Sequence, residues 1–293
     1  MKRMQIGSTM IELMISLVLS LVIIAAIASL FTQMQQSKDF QAAQSSIMED
    51  SRFAQQILQR EVRRAGGLRS RLDSGGSANM VFTQPQPILL PITGVTYQLK
   101  LGEYIKGDTN NNPKPANDSF VIRYQLVDAE DLSPDNPSNS SSPCTSNSIL
   151  SATDDPDIDV HVVRIYFFIN NGNLMCTSQR SVNSFCDANF GKNCALTDPP
   201  VNLISNVQKM LVLYGVDNDG DNAANFYLDA ANLGSGSIWN RVVSVRLSLV
   251  IKSENTHLSK IQVPYTVDGV AYQPTDNSIY RVVSTTIALR NLI

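Results

Sequence analysis

Histidine is scarce in this chain: two in 293 residues, His161 and His257. That excludes a multi-histidine metal centre and leaves little from which to build a nucleophile and its base. His161 alternates with Val163, Ile165 and Phe167, as a strand residue would, and His257 falls in the polar stretch ENTHLSK. Trp239 is the one tryptophan, and no tract is rich in Lys or Arg. Lys and Arg total 23 against 26 Asp and Glu, a formal net charge of −3, so the basic excess of a nucleic-acid binder is missing. No G-x-S-x-G, P-loop or dinucleotide fingerprint occurs, and the reading is of a protein that is not an enzyme. Glycine and proline are missing from every position between Ser8 and Ala65. Nothing in that stretch breaks a helix.

What fills the stretch is unusual. Residues 10–31, MIELMISLVLSLVIIAAIASLF, form an apolar run whose one charge is Glu12. At the helical rise the run spans roughly 33 Å, the thickness of a bilayer's hydrocarbon core. Lys2 and Arg3 precede it with no acidic residue, which puts the short end in the cytoplasm and the rest of the chain outside. A cleaved secretory signal has a shorter apolar core and a polar break after it. Here Ala25, Ala26 and Ala28 imitate the small residues of such a site, but the helical pattern simply continues. Phe40, Ala43, Ile47, Ala54, Ile57 or Leu58, Val62 and Ala65 recur at three- to four-residue steps, with a gap around Asp50. Arg63 and Arg64 close the last turn, and Gly66 and Gly67 stop it. One helix from about residue 8 to 65 is expected, half in lipid and half packed on a domain. A carboxylate in hydrocarbon is costly, so Glu12 either reaches the headgroups or has a partner and a function.

Beyond Gly67 the chain turns to strands separated by polar loops. FVIRYQL (120–126), VHVVRIYFFI (160–169) and VQKMLVLYGV (207–216) are apolar on both faces, as strands covered on both sides are. RVVSVRLSLVI (241–251) alternates, with Val243, Val245, Leu247 and Leu249 on one face, and YRVVSTTIALRN (280–291) does the same. Asn170-Asn171-Gly172 marks a hairpin. The fold class is α+β: a long N-terminal helix packed on an antiparallel sheet with long loops. Residues 108–118 read as a turn-forming segment. Residues 128–159, with eight acidic side chains and no Lys or Arg, read as a solvated surface insertion.

Asp217, Asp219 and Asp221 place three carboxylates at alternate positions around Gly220, a spacing that calcium loops use to converge on one hard cation. The twelfth position from Asp217 is Leu228, where a full EF-hand has Glu, and Asp229 substitutes for it only along a different loop path. Calcium and a plain Asx-rich turn both stay open for this segment. The four cysteines, Cys144, Cys176, Cys186 and Cys194, lack a C-x-x-C pair and follow the apolar run, so two disulfides are expected in an oxidising compartment. Three pairings satisfy four cysteines. The favoured one closes a short loop with Cys186–Cys194 and tethers the acidic insertion with Cys144–Cys176.

GSTMIELMISLV, Gly7 to Val18, resembles the leader junction of type IV prepilins and pseudopilins, where a basic leader ends in Gly and the fifth mature residue is Glu. The resemblance implies cleavage between Gly7 and Ser8 by prepilin peptidase and an assembly role for Glu12; Ser8 departs from the Phe usual there. It also implies a leader at 1–7, a transmembrane half-helix at 8–31, a periplasmic half at 32–66 and a globular pilin domain at 67–293. YGVDNDGD (214–221), Trp239 and the strand Val243 to Arg246 resemble the PilW group of minor pilins, as do REVRRAGG and YRVVSTTIALRN. That likeness implies a structural protein of the inner membrane and then of the pilus. There it joins other minor pilins, the major pilin and a tip adhesin in priming assembly and supports twitching motility and adhesion. A type II secretion pseudopilin of the J kind and a membrane-anchored adhesin are the competing readings.

Overall fold

The computed structural model describes residues 9–67, 86–89, 96–100, 102–108, 117–125, 144, 161–182, 196–197, 199–234, 236–256, 258–259 and 261–289. Helix α1 runs unbroken from Met10 to Arg64, 55 residues and about 82 Å. Thr9 caps it, its hydroxyl accepting the Glu12 N–H at 3.4 Å. The chain leaves the helix at Ala65, and Gly66 takes a left-handed φ of 77° that a side chain would resist. The freed Gly66 N–H then donates to the Arg123 carbonyl at 2.9 Å, tying the helix end to the domain.

The packed stripe of α1 is Ile47, Ser51, Ala54, Leu58, Val62 and Ala65, all buried. Ser51 fills the gap that the apolar pattern leaves near Asp50, turning its hydroxyl back onto the Ile47 carbonyl. Phe40 sits on the same side of the helix but is 39% exposed, so the domain takes hold lower than the pattern suggests.

Two antiparallel sheets, not one, meet that stripe. The first sheet is β3 (Ile105–Gly107), β4 (Phe120–Gln125), β5 (His161–Asn170), β6 (Asn173–Val182) and β7 (Leu196–Thr197) in that order, with β8 (Val201–Ile204) also paired to β6. The second holds β9 (Val207–Val216), β10 (Phe226–Leu228), β11 (Val242–Lys252) and β14 (Tyr280–Ala288), ordered β10-β9-β11-β14. Two small ribbons complete the set: β1 (Gln86–Leu89) with β2 (Thr96–Leu99), and β12 (Tyr265–Val267) with β13 (Val270–Tyr272). Between β10 and β11 lie the one-turn helix α2 (Ala230–Leu233) and a 3-10 turn, Ser237–Arg241.

The sheets interleave with the helix in one contiguous core containing Leu58 and Val62, Phe120, Ile165 and Phe167, and Val212, Leu247 and Ile287. Strand β4 shows why its sequence is apolar on both faces. Phe120 and Ile122 enter that core, while Val121 joins Leu99, Tyr166 and Phe168 in a second cluster on the other side. The β5–β6 hairpin turns at Asn171 and Gly172, whose φ of 50° and 72° give a turn twisted like its strands. In β11 a register shift between Val242 and Ser244 breaks the expected alternation: Val242 joins the core, whereas Val243 is only half-buried.

Candidate functional site

The first half of α1 is where the chain's own packing stops. Met10, Ile11, Leu13, Met14, Leu17, Val22, Ile24 and Phe31 are each more than half exposed, on every side of the helix. The helix is long and apolar enough to cross a membrane. Three of its hydroxyls are suited to that environment, because they find partners within the helix. Ser16 donates to the Glu12 carbonyl at 2.6 Å, Ser20 to Leu17 at 2.8 Å and Thr32 to Ser29 at 2.8 Å. Glu12 stands in the first turn, where its charge meets the positive end of the helix dipole. Gly7 and Ser8 lie outside the described residues.

Asp217 opens the loop between β9 and β10, buried, with its carboxylate turned inward onto the loop's own amides. Oδ1 accepts from Asp219 N at 3.1 Å and Gly220 N at 2.6 Å, and Oδ2 from Asn222 N at 2.9 Å. The Gly220 amide above all, with those of Asn222 and Asp219, holds this carboxyl below the usual carboxylate range. Gly220 and Asn222 supply the left-handed turns that aim the amides, at φ of 83° and 63°. Asp221 Oδ1 accepts from Ala223 N at 2.8 Å, and Asp219 Oδ2 from Asn225 Nδ2 at 3.2 Å. The three carboxylates offer ligand atoms within 4.8 Å of one another. For a hard cation the donor set is thin: Asp217 already serves three amides. Asp229 is not brought to it but caps α2, accepting the Asn232 N–H at 2.8 Å. Loop geometry of this kind fits a self-capped turn.

Around that loop the residues of the YGVDNDGD and Trp motifs come together at one end of the second sheet. The Tyr214 and Trp239 rings meet edge to face with centroids 4.7 Å apart, both buried. Trp239 Nε1 donates to the Gly234 carbonyl at 2.7 Å. Gly215 lies where a Cβ would overlap Ser244 Oγ, the Ala224 methyl and the Tyr227 ring. Tyr227 and Ser244 are themselves hydrogen-bonded at 3.0 Å, and the Arg246 guanidinium lies 4.4 Å from the Tyr227 ring centroid. Asp217 N donates to the Arg241 carbonyl at 3.0 Å, closing the loop on the start of β11. The motif is a packing knot.

Sequence reasoning missed several buried charges: Glu103, Lys106 and Arg164, and above all Glu61 and Arg123. Glu61 is fully buried on α1 beside Arg60 at 3.1 Å and Arg64 at 3.8 Å. Arg123 is buried on β4, its Nη2 donating to the Lys100 and Glu103 carbonyls at 2.9 and 2.6 Å. Burial, and then the neighbouring Arg164, pull its guanidinium down to about 10. Glu61 follows the charged pattern of its helix segment, whereas Arg123 stands within a run that reads as covered on both faces, and that mismatch was the available signal. Cys144 and Cys176 are joined in a buried disulfide that ties the segment before β5 to β6. Cys186, Cys194 and His257 lie outside the described residues; His161 opens β5.

A long apolar helix whose second half is built into antiparallel sheets is the pilin-like α+β architecture. Within it, residues 160–291 match the family described as type IV pilus-assembly protein W, PilW. Over those residues the chain is PilW-like, and they include the whole knot of Tyr214, Asp217 and Trp239. Among solved structures it is similar to a type IV-like pilin from Thermus thermophilus, at 12% identity and a TM-score of 0.40, covering 84% of this chain and 98% of that one. A search of curated proteins gave no match.

Proposed function

We propose that this chain is a structural minor pilin that helps prime type IV pilus assembly and is incorporated at or near the pilus tip, supporting twitching motility and adhesion. The observation that carries the reading is the continuity of α1. One helix presents a wholly uncovered apolar half and then becomes the core of a PilW-like domain. An uncovered apolar helix needs either lipid or other helices around it, and a pilin exchanges the first for the second. Before assembly the helix spans the inner membrane with the domain in the periplasm. Cleavage between Gly7 and Ser8 by prepilin peptidase then frees the mature chain to join other minor pilins and the major pilin. The role is mechanical and asks for no bound cofactor; calcium at the Asp217–Asp221 loop is an accessory at most.

The test is genetic and biochemical together. Deletion of the gene abolishes surface pili and twitching, and the wild-type chain restores both and co-purifies from membranes with other minor pilins. Co-purification with secretion-system pseudopilins, with pili unaffected by the deletion, makes it a secretion component instead. A mature protein that begins at Met1 defeats the processing step.

A further inference from the structure

The direction of the domain relative to the apolar helix is fixed by contacts at two levels. Asp39, Ile47 and Asp50 of α1 line a cleft of about 480 Å³ with Asn206, Lys252 and Glu254. Further along, Gln59 donates to the Thr285 hydroxyl at 3.0 Å. Strand β14 therefore descends beside α1, and the end of the second sheet holding Lys252 and Tyr280 is the end nearest the apolar run. Asp39 lies eight residues past Phe31, about 12 Å along the helix. A headgroup layer takes up about 5–8 Å of that on each side of a bilayer.

At this same end the chain carries apolar side chains with no cover. Ile261 is 70% exposed and Val263 51%. They belong to the segment that leads into β12, and that segment is anchored to its own level. Ser259 N donates to the Asn277 carbonyl at 3.0 Å, Gln262 Nε2 to the Thr275 carbonyl at 3.2 Å, and Ser259 Oγ to the Ile261 carbonyl at 2.6 Å. The next alternate residue, Tyr265, stacks on Tyr280 at the head of β14, with centroids 5.1 Å apart. Tyr265 and Val267 pack with Leu211 and Val250 on the face of the second sheet turned away from α1, so Ile261 and Val263 lie past the last paired rung at the end from which α1 emerges, one sheet's thickness from the helix.

We propose that Ile261 and Val263 form a lipid-contacting rim that seats the domain on the bilayer interface before assembly. The occupant is the lipid surface because the rim lies at the end of the domain that faces the apolar half of α1, and a bilayer around that half meets this end of the domain whichever face of the sheet the rim stands on. The proposal rests on the membrane anchoring put forward above. Asp39, Asp50 and Glu254 in the adjoining cleft oppose anionic headgroups, so a zwitterionic surface is the better match.

The test uses the full chain reconstituted in phosphatidylcholine vesicles, wild type against Ile261→Trp, with phosphatidylcholine brominated high on its acyl chains as quencher. Trp239, buried at the start of β11, supplies a background far from the bilayer in both proteins. Both chains are expected to float with the vesicles, and the added tryptophan to emit at short wavelength and lose most of its intensity to the brominated lipid. Flotation with a long-wavelength, unquenched tryptophan overturns the rim and leaves the anchor standing. A short-wavelength emission that ignores the bromine and grows with protein density assigns the rim to contact between chains and also overturns it. A chain that fails to float overturns the anchoring, and the rim falls with it.

Discussion

Gly215 and Ser244 face each other across β9 and β11 so closely that a single methyl on the glycine would overlap the serine hydroxyl. The glycine is not in the left-handed region, so its necessity is steric. Gly215→Ala is expected to destabilise the domain by about 1–3 kcal/mol, the usual cost of overpacking a filled site. The Ala224 methyl and the Tyr227 ring crowd the same point, so adding Ser244→Ala should recover only part of that loss. Denaturant unfolding of the two variants in detergent decides it; full recovery would assign the whole clash to the serine.

The aromatic pair below it separates ring from hydroxyl. Tyr214 Oη is buried with no hydrogen-bond partner among the described residues, and burial pushes that phenol well above its ordinary range. Tyr214→Phe therefore removes an unsatisfied group and keeps the ring, and stability should stay within about 1 kcal/mol of wild type or rise. Trp239→Ala opens a cavity and should cost about 3–5 kcal/mol. Comparable losses from both substitutions would mean that the tyrosine hydroxyl has a partner after all.

Asp217 gives the loop a pH dependence of known sign. Its carboxyl is depressed in the folded chain by the Gly220, Asn222 and Asp219 amides. Its contribution to stability is therefore complete above the ordinary carboxylate range and fades as the pH falls through the lowered folded value. Asp217→Ala should lower the Tm at neutral pH equally in calcium and in chelator, and the difference from wild type should shrink in acid. A loss confined to calcium would make Asp217 a metal ligand and not an amide acceptor.

Glu12 is tested by recruitment. If the chain is cut between Gly7 and Ser8 as proposed, the new α-amine stands four residues before Glu12, so Glu12 can pair with its own amine or with a neighbour's. Either pairing relieves the burden of a carboxylate among apolar helices, and the second also sets their axial register. Glu12→Gln and Glu12→Leu should be cleaved and inserted normally yet recover poorly with the other pilins. Pili restored to wild-type numbers by Glu12→Leu would show that the residue is merely tolerated.

Much of this was legible in the residues, and the limits have physical causes. An 82 Å helix follows from a stretch without glycine or proline and with a three-four apolar step, and the β5–β6 hairpin follows from Asn-Gly. The division into two sheets does not follow. Strands such as β4 are apolar on both faces, and periodicity alone does not say which face meets which neighbour. Ser244 and Ser248 look like solvent positions in the pattern of β11 yet are buried. Ser248 is hydrogen-bonded to Ser284 on β14 at 2.9 Å, a cross-strand pairing invisible before the register is known. The alternate aspartates were visible, but how many of their oxygens the loop's own amides would take depended on the positive φ at Gly220 and Asn222. Glu61 looked like an ordinary surface charge that only the tertiary structure buries, whereas Arg123 stood within a run apolar on both faces.

The uninterrupted passage of α1 into the core also decides how the molecule bears load. Between Phe31 and Asp39 the helix stands clear of the domain, from Asp39 it flanks the cleft, and from Ile47 to Ala65 one of its faces is packed into the core. Tension drawn along its axis reaches Ile47, Ala54, Leu58 and Val62 together, so these contacts resist sliding in parallel. A force applied across the axis instead falls on one unsupported span of helix, where the backbone hydrogen bonds of a few turns carry all the bending. The protein is built stiff to pulling and yielding to sideways strain.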